Sequence, residues 1–189
     1  RMWPHTVAIL IGGKSTRMGS PKHEARLPNG KTMMEAMLKF ASTTANKTVV
    51  VGGTYSNQHC ILDHRRGLGP VAGIESLLSS NLDERYLVVA CDMPLLKPET
   101  VQPLFGEGDV VVFEGDSSVD FPTPLPLVVS SLASNACTTY LDQGGRSLHG
   151  FLRTLVCTAV QKPRGAKKQL SNINTREQLN NCTFEDGCF

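Results

Sequence analysis

Three short, unbroken apolar runs constrain this chain more than any other feature. Val7-Ala-Ile-Leu-Ile11, Thr48-Val-Val-Val51 and Tyr86-Leu-Val-Val-Ala-Cys91 do not alternate apolar with polar side chains. A strand with one wet face alternates, so runs of this kind belong in a sheet covered on both sides. Two of them stop at glycine pairs, Gly12-Gly13 and Gly52-Gly53, and the third stops at Asp92. Helical patterns lie between: Met33, Met34, Met37, Leu38 and Phe40-Ala41, then Gly73 to Leu78 with Ile74, Leu77 and Leu78 on one face. Strands alternating with helices predict an α/β fold of three layers, a mainly parallel sheet with helices on both faces. In such sheets ligands bind at the carboxyl ends of the strands. The glycine pairs and Asp92 all fall there.

Further strands are predicted at Ile61-Leu62, Val110–Phe113, Pro126–Val129 and Val156–Val160. Helices are predicted at Pro98, where proline suits a first turn, and over about 130–141 and 147–155. The 189 residues suit a single domain with no repeat or linker. A formal net charge of +2 is too small to argue for nucleic acid or an acidic membrane surface. No apolar run approaches the roughly 18–20 residues of a membrane span, and no secretory pattern is evident, so the expected location is cytoplasmic. Six cysteines without any C-x-x-C pair read as reduced thiols rather than a disulfide or zinc framework.

The segment after the first strand carries the clearest chemistry. Gly13-Lys14-Ser15 looks like the end of a phosphate-binding P-loop, but that motif needs a glycine where Ala8 stands, inside the strand. What remains is Gly12-Gly13-Lys14-Ser15-Thr16-Arg17-Met18-Gly19-Ser20-Pro21-Lys22. Paired glycines let the backbone approach a ligand closely, and Arg17 and Lys22 add a planar fork and a point charge for phosphate oxygens. By its residues alone this is either a triphosphate cradle or a surface loop with incidental charges. Asp92, just past a buried strand, either holds Mg²⁺ beside substrate phosphates or caps the turn that follows.

The loop resembles the G-G-x-S-x-R-M-G-x-D-K signature of the molybdenum cofactor guanylyltransferases, matching at Gly12, Gly13, Ser15, Arg17, Met18, Gly19 and Lys22. Pro21 departs from it, as in related cytidylyltransferases. Cys91-Asp92-Met93-Pro94 is similar to the family's metal-binding C-D-x-P, and Gly69-Pro70-Val71-Ala72-Gly73-Ile74 to its G-P-L-A-G-I pocket element. Asp63 falls near a second pocket aspartate, with a one-residue gap. Asn172-Ile173-Asn174-Thr175 resembles N-x-N-T, a segment that the family links to its acceptor, and Asp120–Leu127 resembles a stretch after the central strands.

The resemblance implies a Rossmann-like nucleotidyltransferase fold. It divides the domain into a nucleotide-binding part at about 6–110 and an acceptor-binding part at about 111–182. It implies catalytic Lys22, Arg17 and Asp92, with Asp92 holding Mg²⁺ and Mn²⁺ as a substitute. The nucleotide would lie on Ile11, Gly12, Gly13, Lys22, Asp63 and Gly69, and the acceptor on Arg146, Asn172 and Asn174. The implied reaction takes GTP and molybdopterin cofactor, with molybdenum-insertion and molybdoenzyme chaperone proteins as further partners. Ile11-Gly12-Gly13 and the asparagine pair favour guanine; Pro21, and Gly52 where the family often has Asn, count against it. Two alternatives are a cytidylyltransferase of the same superfamily and a non-catalytic nucleotide-binding maturation factor.

Overall fold

A computed structural model describes residues 2–12, 21–115 and 124–182. Gly13, Arg17 and the rest of the loop through Ser20 lie outside the described residues, as do residues 120–123 of the Asp120–Leu127 stretch and Cys188. The apolar runs become strands β1 (Trp3–Leu10), β2 (Ala45–Val51) and β4 (Arg85–Ala90), with the short β3 (Cys60–Ile61) beside β2. β5 (Val110–Phe113), β6 (Leu127–Ser130) and β7 (Thr158–Val160) complete a seven-stranded sheet in the order β3-β2-β1-β4-β6-β5-β7. β2, β3 and β4 run parallel to β1, and β7 parallel to β5. β6 alone is reversed, pairing antiparallel with both β4 and β5. The sheet is therefore mixed and mostly parallel.

The helices are α1 (Met33–Thr44), α2 (Pro70–Ser79), α3 (Pro98–Val101), α4 (Ser134–Asp142), α5 (Leu148–Arg153) and α6 (Arg176–Asn180). α1 crosses from β1 to β2 and α2 crosses the other way, from β3 to β4, so right-handed crossovers place them on opposite faces. α3 packs with α1, and α4 and α5 pack with α2. Val7, Ala8, Ile9, Val50, Val51, Leu87, Val88 and Val89 are fully enclosed between these layers, which is why their runs do not alternate.

Element limits shift for local reasons. β1 begins at Trp3, four residues before its apolar run, because Trp3 stacks on Phe105 with centroids 4.5 Å apart and Thr6 donates to Asp83 at 2.8 Å. α1 starts behind a capping box, in which Thr32 Oγ1 accepts from the Glu35 N–H and Glu35 accepts from the Thr32 N–H. α2 begins at Pro70 instead of Gly73, since proline supplies the first turn. β7 is shorter than its run, and Val156 is left exposed. Five described cysteines are thiols, and burial pushes those of Cys91 and Cys137 up to about 12. No helix among the described residues is long and apolar enough to cross a membrane.

The loop after β3 is held by charge. Arg65 grips Glu75 of α2 through two bonds of 2.9 and 3.0 Å and reaches Asp142 at the end of α4 at 2.6 Å. Glu75 is buried, whereas Arg65 is partly open. Removing one partner of such a pair strands the other charge. Arg65→Ala should therefore lower stability in urea denaturation more than Glu75→Ala, which removes the buried charge itself. Equal costs would show that the stranded carboxylate is not the cause.

Candidate active site

The carboxyl ends of β3, β2, β1 and β4 lie side by side. Ile11 N–H donates to Val51 at 2.8 Å, Gly52 N–H to Ile61 at 2.8 Å and Cys91 N–H to Leu10 at 3.1 Å. At this edge the backbones of Gly12 and Gly52 pass each other. Both have positive φ, 118° and 96°. A Cβ on Gly12 would stand 3.3 Å from the Gly52 carbonyl oxygen, and a Cβ on Gly52 would collide with that of Ile11. Glycine is required at both positions by conformation and by space. An asparagine at position 52 would not fit here without backbone movement.

Asp63 lies two residues beyond β3, against the first turn of α2. A Cβ on Gly73 would approach its Oδ1 to 3.2 Å. That oxygen is buried and has no hydrogen-bond partner. Burial raises the Asp63 pKa, and the neighbouring His64 opposes the rise only in part. An unpaired buried acceptor costs about 1–3 kcal/mol, which a ligand donor would offset. Gly69, with φ 85°, caps the N-terminus of α2 at the same edge, where unsatisfied N–H groups favour anions.

At the end of β4, Asp92 is nearly enclosed. Its Oδ1 accepts from Asn172 Nδ2 at 2.8 Å and its Oδ2 from Lys22 Nζ at 3.1 Å. Lys22 Nζ also donates to Asn174 Oδ1 at 2.6 Å. Residues 22, 92, 172 and 174 thus meet although as many as 152 positions separate them. Lys22 opens a single 3-10 turn, Lys22–Glu24, which continues into Ala25. A second small core of Ala25, Leu27, Met33, Leu95, Ile173, Leu179 and Cys182 lies beneath. It ties the lysine turn, the loop after Asp92 and the asparagine segment to one another.

Arg146 makes none of these contacts. Its Nη1 donates to the carbonyls of Leu141 and Gly145 at 3.0 and 2.6 Å, closing the C-terminus of α4. The clamp of Arg65, Glu75 and Asp142 escapes sequence reasoning, because ion pairs between distant segments leave no local signature.

The donor set also bears on a metal. Among the described residues no three acidic, histidine or cysteine side chains gather as a cage. A single carboxylate with lone pairs to spare fits Mg²⁺, which commonly takes one or two carboxylates plus substrate phosphates and waters. Asp92, with one hydrogen bond on each oxygen, is a carboxylate of this kind.

Residues 7–157 match the family model of the MobA-like NTP transferase domain. The molybdenum cofactor guanylyltransferase of Xanthomonas euvesicatoria pv. vesicatoria is 30% identical, over 97% of this chain and 96% of that one. The crystal structure of molybdopterin-guanine dinucleotide biosynthesis protein A from Archaeoglobus fulgidus superimposes with a TM-score of 0.76 at 28% identity, covering 93% of this chain and 95% of that one. The fold extends to 2-C-methyl-D-erythritol 4-phosphate cytidylyltransferase from Thermus thermophilus, with a TM-score of 0.67 at 14% identity over 94% and 96% of the two chains. A mostly parallel sheet, a carboxylate and a lysine meeting at its carboxyl edge, and a match across most of the chain agree: this protein belongs to the MobA-like NTP transferase family and is a nucleotidyltransferase.

Proposed function

We propose that the chain transfers GMP from GTP to the phosphate of molybdopterin cofactor, giving the guanine dinucleotide and pyrophosphate, in the cytoplasm. The observation that carries this reading is the meeting of Lys22 and Asp92, 3.1 Å apart, at the carboxyl edge of the sheet. A terminal phosphate oxygen of the acceptor attacks the α-phosphorus in line. One P–O bond forms, the bond to the β-phosphate oxygen breaks, and pyrophosphate leaves with the electron pair. Lys22, and Arg17 from the preceding loop, offset negative charge on the α-phosphoryl oxygens and the leaving group. Asp92 would hold Mg²⁺, which supplies Lewis-acid neutralisation of phosphate charge when bound. No covalent enzyme intermediate is needed, and rate comes from positioning and electrostatics.

Asp63 supports guanine. Its carboxylate, turned so that the unpaired oxygen faces the cleft, would suit a base that presents two adjacent N–H donors on one edge, as guanine does with N1–H and its exocyclic amine. Cytosine and adenine each present an acceptor beside their amine. Gly12 and Gly52, which no side chain can replace without movement, keep the approach to this wall low.

Three outcomes are expected. Calorimetry with GTP, CTP and ATP, each with Mg²⁺, should show preference for GTP; preference for CTP would move the chain to cytidylyl transfer, and no binding would end the transferase mechanism. Lys22→Ala should lower turnover by about 10²–10³-fold in a pyrophosphate-release assay, with melting followed in parallel because the change leaves the nearly enclosed Asp92 without its cation. Near-normal turnover would remove Lys22 from catalysis.

Asp63→Asn should weaken GTP binding by roughly 10–100-fold, the worth of a hydrogen bond to a charged group. The same change should stabilise the ligand-free protein. A raised carboxylate pKa means that the folded state disfavours the ionised form, so wild type loses relative stability as pH rises from the ordinary aspartate value through the raised one. The Tm gain of Asp63→Asn should be about 2–4 °C per kcal/mol near neutrality and should vanish in acid. A gain independent of pH would show that the buried charge is not its source.

A further inference from the structure

The segment Asn172-Ile173-Asn174 is built as a bracket. Ile173 is buried in the small core, and its N–H donates to the Asp92 carbonyl at 2.8 Å. This bond fixes the segment against the backbone of the metal-site residue. On either side of Ile173 the asparagine side chains reach the site, one to each member of the Lys22–Asp92 pair. The partners dictate how each amide is turned. A carboxylate only accepts, so Asn172 presents Nδ2; an ammonium only donates, so Asn174 presents Oδ1. Beyond the bracket, Gln178 Oε1 accepts from the N–H groups of Asn174 and Thr175 at 2.7 and 3.1 Å. Thr175 in turn caps α6, which is anchored by buried Leu179.

We infer that Asn172 and Asn174 are positioning residues for the transfer centre: Asn172 fixes the carboxylate of Asp92 for the metal, and Asn174 holds Lys22 in place when that carboxylate turns to the metal. The inference rests on the proposed reaction and replaces acceptor binding as the main task of the two amides. Chemistry explains why both are neutral. A carboxylate at position 174 would neutralise the charge that Lys22 must offer to phosphate. A carboxylate at position 172 would face Asp92, and two acids so close cannot both ionise freely. A neutral amide orients each partner and leaves its charge intact.

The test measures nucleotide binding without acceptor, which an acceptor contact would not affect. Asn172→Ala should weaken Mg²⁺-dependent GTP binding by about 10–100-fold in calorimetry and should shift the Mg²⁺ midpoint upward. Asn174→Ala should lower kcat by a similar factor, with the acceptor KM within about twofold of wild type. The isosteric Asn174→Asp, monitored by thermal melting to verify folding, should retain the Lys22 contact yet lose kcat. Both alanine variants binding Mg²⁺-GTP like wild type, with acceptor KM raised instead, would overturn the inference and leave the proposed reaction standing. A wild-type chain that binds no nucleotide would overturn both.

Discussion

The site depends on a small core that is separate from the main one. Ala25, Leu27, Met33, Leu95, Ile173 and Leu179 come from three stretches of chain and share no strand of the sheet. Burying them together fixes the lysine turn, the loop after β4 and the asparagine bracket relative to one another. Each side chain contributes on the order of 1–3 kcal/mol by leaving water, enough to hold three irregular segments that lack a hydrogen-bond ladder. The main core builds the sheet edge, and the small core brings the charged groups to it.

Much of this was legible in the sequence. Unbroken apolar runs required a sheet covered on both faces, and the residues that ended those runs marked its carboxyl edge. The reversal of β6 was not legible, because four apolar residues carry no direction. Nor were the contacts of Asn172 and Asn174, whose partners lie 80 and 152 positions away. Asp63 could be placed by resemblance, but only folding shows that one of its oxygens lacks a partner.

Stability and chemistry pull in opposite directions at this edge. Two glycines with positive φ forgo the stiffness that other residues would give, and a buried carboxylate oxygen is left unsatisfied. The ion pairs of Arg65 act on the same loop in the stabilising sense, tying it to α2 and α4. A site whose polar groups await a ligand is commonly less stable than the scaffold could be.

The lengths of the outermost strands have a consequence for solubility. β3 has two residues and β7 three, whereas the inner β1 has eight. A long outer strand would expose a row of unpaired backbone groups on which another chain could add. With such short borders, the apolar runs of β1 and β4 lie between neighbours on both sides, and the outermost strands themselves offer little template for sheet-to-sheet growth between molecules.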